Sequence, residues 1–94
     1  MKRLEMIEIC SGGRDHAFLE QQMKVLCGQI AAEESSYTIK VFKNGLVDTD
    51  YCVHLLYESE KTDIHMSRIG EQIAAALKEF SIVNHSIWIQ KISI

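Results

Sequence analysis

Residues 37–58 read YTIKVFKNGLVDTDYCVHLLYE, and they contain two runs of alternating polarity on either side of an Asn44-Gly45 pair. Alternation with a period of two is typical of a half-buried β-strand, and Asn-Gly between two such runs is a strong hairpin signal. We therefore predict strands over residues 37–43 and 51–58, with residues 46–50 in the loop that connects them.

Two segments outside this hairpin have the apolar spacing of amphipathic helices, with intervals of three and four residues. The stripe within residues 15–34 consists of Leu19, Met23, Leu26 and Ile30, and the stripe within residues 66–80 consists of Met66, Ile69, Ile73, Leu77 and Phe80. Either Thr62 or Asp63 is predicted to cap the second helix, because a side-chain oxygen there can accept hydrogen bonds from free amides.

The two ends of the sequence supply the remaining strands. Residues 4–10 alternate in polarity, and residues 83–94 are rich in β-branched side chains around Trp88. The predicted order is therefore βαββαβ, and right-handed crossovers give a four-stranded antiparallel sheet of order 4-1-3-2. With 94 residues the chain is too short for two cores, so we predict one ferredoxin-like α+β domain over residues 1–94, with both helices on one face.

Composition argues against several classes of partner. The net charge is −3 and no basic cluster exceeds Lys2-Arg3, whereas nucleic-acid binding depends on neutralising phosphates. No apolar run approaches the roughly 20 residues of a membrane-spanning helix. Three cysteines without C-x-x-C spacing do not make a disulfide framework. We predict a cytoplasmic protein that binds neither nucleic acid nor membrane and needs no cofactor.

The side of the predicted sheet away from the helices is unusually apolar. By alternation it holds Leu4, Met6, Glu8, Cys10, Phe42, Cys52, His54, Leu56, Trp88 and Ile92. A contiguous apolar surface normally marks an interaction site, so we predict a homodimer through this face, with the last strand able to pair with the partner. In the alternative, the helix ends and the loop over residues 44–50 fold over this face in a monomer.

Two polar side chains on the same face are candidates for chemistry. Glu8 and His54 lie on neighbouring central strands and, beneath Trp88, could bind a polar ligand group or transfer a proton. The alternative is a buried histidine paired with a carboxylate or backbone group. Cys10 and Cys52 could join them as zinc ligands, but free cysteine is commonly a small buried hydrophobe, and we predict no metal.

The segment VHLLYESE over residues 53–60, followed by His65, resembles the dimeric α/β-barrel superfamily and particularly its antibiotic-biosynthesis-monooxygenase-like domains. In that family an aromatic-ended third strand runs into an acidic and serine-containing stretch and then a histidine. The resemblance implies a homodimer and a pocket between sheet and helices. This chain departs from the family in having Tyr57 where a tryptophan is usual, and in lacking a second histidine soon after His65.

Three functions follow from these patterns, and the third, a metal- or haem-handling protein, would depend on the cysteine and histidine side chains of the sheet face away from the helices. The preferred prediction is a ligand-binding or accessory module that holds a small apolar ligand, with the ligand-binding residues Glu8, His54, His65 and Trp88. The alternative is a cofactor-independent monooxygenase-like enzyme acting on an aromatic or quinol substrate.

Overall fold

A computed structural model describes residues 1–12 and 16–94 and contains four strands and two helices in those ranges. The elements are β1 (Lys2–Cys10), α1 (His16–Glu33), β2 (Thr38–Lys43), β3 (Asp50–Glu58), α2 (Arg68–Leu77) and β4 (Ile82–Ile89). This confirms the predicted βαββαβ order and the loop between the hairpin strands. The predicted start of the first helix at Asp15 lies outside the described residues.

The four strands form one antiparallel sheet in the order β2-β3-β1-β4, which is the predicted order. In the register of the central strands, Ile7 lies opposite Val53 of β3 and His85 of β4. The alternation of buried and open side chains along β1 and β3 has the predicted phase, with Ile7 and Val53 both 0% exposed. The ferredoxin-like α+β fold is therefore confirmed.

The hydrophobic core lies between the two helices and one face of this sheet. Its members are Ile7, Ile9, Leu19, Met23, Cys27, Ile30, Tyr51, Val53, Leu55, Tyr57, Ile69, Ile73, Ala74 and Leu77. In the described parts of the chain, neither helix is both long and apolar enough to cross a membrane.

The predicted cap of the second helix was wrong. The N-cap is Ser67, whose hydroxyl accepts a hydrogen bond from Gly70 N at 2.9 Å, and residues 62–66 precede the helix as an irregular segment. The physical reason is a tertiary contact, because Ser67 N also donates to the Glu5 carboxylate at 3.0 Å. That contact fixes where the helix begins, and local capping propensity cannot reveal it.

The last strand is shorter than predicted. β4 ends at Ile89, and the exposed residues 91–94 lie outside any strand, so Ile92 does not belong to the sheet face. β4 pairs with β1, which begins at Lys2, and the bond from Gln90 N to Lys2 O is the final rung of that ladder. Residues beyond it have no partner strand among residues 1–12 and 16–94.

The sheet face opposite the helices, which we call the open face, is not covered by any part of the described chain. Phe42 is 47% exposed and Trp88 is 58% exposed on this face. The monomeric alternative, in which helix ends and the loop over residues 44–50 shield it, is therefore not what the fold shows.

Candidate functional site

A cleft of about 350 Å³ lies on the open face, beside the loop that joins β2 and β3, and we call it the open-face cleft. The side chains that define it come from all four strands and include Met6, Glu8, Cys10, Phe42, Cys52, His54, Ile82 and Asn84. This volume falls at the lower end of the range for small-molecule sites, about 300–1,000 Å³. The cleft has apolar walls and a few polar groups, the usual composition of such sites.

The polar groups of the open-face cleft can orient a ligand, and the thiol of Cys52 beside them is held in its protonated form. The imidazole of His54 packs on the Phe42 ring with 4.6 Å between ring centroids. Asn84 Nδ2 donates to Glu8 Oε1 at 3.5 Å. Burial and then the Glu8 charge raise the pKa of the Cys52 thiol, so that it stays protonated at neutral pH. The carboxylate of Glu8 and the imidazole of His54 can form hydrogen bonds to a ligand in this cleft.

The structure brings together two of the four residues predicted to bind ligand. Glu8 lies opposite Cys52 in the sheet register and His54 lies opposite Met6, so the pair is diagonal, with Cα atoms about 7–8 Å apart. Both side chains line the open-face cleft.

Trp88 and His65 lie elsewhere. Trp88 is opposite Leu4, four residues along β1 from Glu8 and so about 13 Å away, and it lines a separate depression of about 250 Å³ with Leu56. Trp88 therefore does not cover the Glu8 and His54 pair, contrary to the prediction. His65 is exposed in the segment before α2, with Nδ1 3.0 Å from Met66 O.

The cysteines of the open-face cleft are free thiols. Cys10 and Cys52 line the cleft with His54. Within residues 1–12 and 16–94, however, no group of three or more histidine, cysteine or acidic side chains is arranged to hold a metal ion.

Sequence reasoning missed a buried polar cluster on the helix-facing side of the sheet. Glu5 of β1 is 0% exposed, and its Oε2 accepts hydrogen bonds from Tyr57 OH at 2.6 Å and from Ser67 N at 3.0 Å. His85 Nε2 of β4 lies 2.7 Å from Glu5 Oε1. We call these four residues the Glu5 cluster. Charged hydrogen bonds of this length offset the large cost of removing a carboxylate from water.

The start of α2 is built around this carboxylate. The helix begins just after Ser67, so its positive N-terminal end faces Glu5, which is the favourable end for an anion. Gly70 in the first turn has no side chain, and a Cβ there would lie 2.9 Å from Glu5 Cδ and overlap Oε1. Glycine at this position is therefore what lets the helix approach the carboxylate.

The tyrosines beside Glu5 are held in their protonated form. Burial, followed by the hydrogen bond and charge of Glu5, raises the pKa of Tyr57. Burial and the Glu5 charge also raise the pKa of Tyr37, whose ring centroid lies 4.8 Å from that of Tyr57. A histidine oriented by a buried carboxylate is an arrangement found in general bases, and the His85 side chain is 12% exposed.

A signal for the Glu5 cluster was present in the strand alternation. Glu5 has the same phase as Ile7 and Ile9, and His85 has the same phase as Ile87, so both polar side chains belong to the core-facing rows. A carboxylate in such a row requires partners, since an unpaired buried charge is very costly.

Comparison with known proteins shows the fold of this chain. No protein-family model and no curated protein matches its sequence. Its structure is similar to that of SnoaB, a cofactor-independent oxygenase from Streptomyces nogalater solved as a point mutant. The TM-score is 0.73 with 11% identity, over 99% of this chain and 96% of the other. The resemblance in layout predicted from the sequence is confirmed as a resemblance of fold, and fold alone does not assign chemistry.

Proposed function

We propose that this chain is a homodimeric ligand-binding domain whose two protomers pack through their open faces around a small apolar ligand. The observation that supports it is the exposure of large apolar side chains on both edge strands of that face, with Phe42 of β2 at 47% and Trp88 and Ile82 of β4 at 58% and 76%. Apolar surface gains about 25 cal/mol for each Å² removed from water, which favours covering the face.

A second copy of the chain suits this surface. A two-fold axis brings the same patch of each protomer against itself, and packed sheets lie about 10 Å apart. At that spacing a cleft in one face is closed by the side chains of the other. The open-face cleft would then become an enclosed site between two sheets.

The rings of Phe42 and His54 favour a flat aromatic ligand in this site. Their faces offer offset or edge-to-face contacts to another ring, while Glu8 and His54 offer hydrogen bonds to a hydroxyl or carbonyl group. One polar group on an otherwise apolar ring system is therefore the expected ligand chemistry.

The dimer is tested by size-exclusion chromatography with light scattering at micromolar concentration. We expect a mass of twice the 10.7 kDa of one chain for the natural sequence, and the mass of one chain for Trp88→Lys. Ile64→Lys is a matched control, because Ile64 is 57% exposed but lies before α2, away from the open face. A natural chain that runs as a monomer would contradict the proposal.

The ligand site is tested by calorimetric titration with 1-naphthol, an aromatic ring system with one hydroxyl group. Phe42→Ala and His54→Ala should each weaken binding about tenfold, since each removes one contact worth roughly 1–1.5 kcal/mol. Val25→Ala on α1 is the control, because Val25 is 46% exposed on the other side of the molecule and should have no effect. Equal affinity in all three variants would place the naphthol elsewhere.

The second candidate is a cofactor-independent monooxygenase-like enzyme acting on an aromatic or quinol substrate. It is favoured by the fold shared with SnoaB, by the imidazole of His85 on the Glu5 carboxylate, and by the imidazole of His54, which shares the open-face cleft with Glu8. Either imidazole could accept the hydroxyl proton of a quinol before reaction with oxygen.

Oxygen uptake with 1,4-naphthohydroquinone, corrected for a protein-free blank, separates the candidates. An enzyme should lose activity by orders of magnitude in His54→Ala or in His85→Ala while keeping its circular dichroism spectrum. Uptake equal to the blank in the natural chain leaves the binding domain as the proposal.

A further inference from the structure

Arg3 of β1 is an unusually buried cation. It is 3% exposed on the helix-facing side of the sheet. Its Nη2 donates to the backbone oxygen of Lys61 at 2.5 Å, and its Nε atom is buried with no hydrogen-bond partner. Arginine is rarely buried unless it is paired with an anion or fully hydrogen-bonded. The guanidinium of Arg3 therefore lacks a hydrogen-bond acceptor at Nε.

Nearby carboxylates do not neutralise Arg3. Among the ion pairs of residues 1–12 and 16–94, none includes Arg3. Glu58 is engaged at 3.0 Å by the Met1 ammonium group, and both oxygens of Glu5 are engaged by the Glu5 cluster. The carbonyl of Lys61 supplies a dipole but no negative charge.

Arg3 lines a cleft of about 300 Å³ between the start of β1 and the segment after β3, which we call the Arg3 cleft. Its other lining residues are Met1, Ser59, Glu60, Lys61, Thr62 and Ile64. Among the lining residues the charge of Glu60 offsets that of Lys61, and the Met1 ammonium is paired with Glu58, which does not itself line the cleft. The formal charge left over is the single positive charge of Arg3.

We propose that the Arg3 cleft is a binding site for a small organic monocarboxylate, whose carboxylate group pairs with the Arg3 guanidinium. Three features select this class of ligand. The planar guanidinium fork matches a carboxylate, one uncompensated charge matches a monoanion, and Ile64 and Met1 offer apolar contacts to an organic group. A dianion such as phosphate would bring a second negative charge next to Glu60.

This site is separate from the open-face cleft. Arg3 and the open-face residues lie on opposite sides of the sheet, since Arg3 shares its phase with Glu5 and not with Leu4. A variant at Arg3 should therefore leave the oligomeric state unchanged, and failure of the carboxylate site says nothing against the dimer.

The test follows the Arg3 side chain directly in the full chain by nuclear magnetic resonance. Sodium benzoate is titrated into isotope-labelled protein, with benzamide as the neutral isostere, sodium phosphate as the alternative anion and sodium chloride at matched ionic strength. We expect saturable shifts of the Arg3 Nε–H signal and of the amides of residues 59–64 with benzoate only.

Two variants complete the experiment. Arg3→Gln should weaken benzoate binding at least about tenfold, the value of one charged hydrogen bond. Lys2→Gln removes the same charge from the exposed neighbouring residue and should leave the affinity unchanged. If Arg3→Gln fails to fold, the shift of the Arg3 Nε–H signal in the natural chain still tests whether benzoate binds there. The proposal is overturned by equal shifts with benzamide, by a response to phosphate alone, or by an unmoved Arg3 signal.

Discussion

Replacing Gly70 by alanine is the most direct perturbation of the Glu5 cluster. The added methyl group would overlap Glu5 Oε1 and lie 2.9 Å from Cδ and 3.1 Å from His85 Cε1. The carboxylate sits at the end of a flexible side chain, but it is 0% exposed and hydrogen-bonded on both oxygens. It can make room only by leaving its partners.

The size of the effect follows from two opposing terms. Alanine is favoured over glycine in a helix by about 1 kcal/mol. Against this, each hydrogen bond to a buried charged group is worth about 1.5–3 kcal/mol, and moving the carboxylate breaks at least two of those made by Tyr57, Ser67 and His85. We expect Gly70→Ala to lower the free energy of unfolding by roughly 2–5 kcal/mol.

Urea denaturation followed by circular dichroism measures this loss, and Gly28→Ala is the matched control. Gly28 is an exposed glycine inside α1, and a Cβ there would meet nothing within 4 Å. That variant should be stabilised by up to about 1 kcal/mol through helix propensity alone. If Gly70→Ala were stabilised to the same extent as Gly28→Ala, the close approach of α2 to the Glu5 carboxylate would be refuted.

Three further outcomes test other parts of the structure. Tyr57→Phe removes the 2.6 Å donor to Glu5 and should cost about 1.5–3 kcal/mol in the same urea assay, whereas an unchanged midpoint would show that water replaces the hydroxyl. Burial raises the pKa of Cys27 from 9.0 to about 11, so only the unfolded thiol ionises between these values, and stability should fall as pH rises from 9 to 11. Cys27→Ala should flatten that part of the stability curve. With a thiol-specific reagent at pH 8, Cys27 should react only on unfolding, while Cys10 and Cys52 should be protected if the proposed dimer forms and should react in a monomeric variant.

The strands could be predicted because their determinants are local. The alternation around Asn44-Gly45 and along β1 sets which side chains face the helices, and the fold reproduces that phase. A period-two pattern is readable from sequence because one burial face imposes it on every strand.

Other features depend on residues distant in sequence and could not be predicted from local patterns. The start of α2 is set by the contact of Ser67 with Glu5, and the end of β4 by the length of β1. That Glu8, His54, His65 and Trp88 bind a ligand stays a prediction, but their positions in the fold follow the same rule. Glu8 and His54 share a cleft because neighbouring strands bring them there, whereas the sheet register, which places Trp88 beside Leu4, is not apparent from either strand alone.

Glu5 finds its three partners 52, 62 and 80 residues away along the chain. None of these contacts can arise inside an isolated hairpin or helix, so a half-assembled chain must keep this group hydrated or suffer a heavy loss of solvation energy. Incomplete structures should therefore remain loose around the first strand, and the final stage of folding should be sharply cooperative. A partial fold that buries Glu5 before its three partners are in place should therefore be unstable.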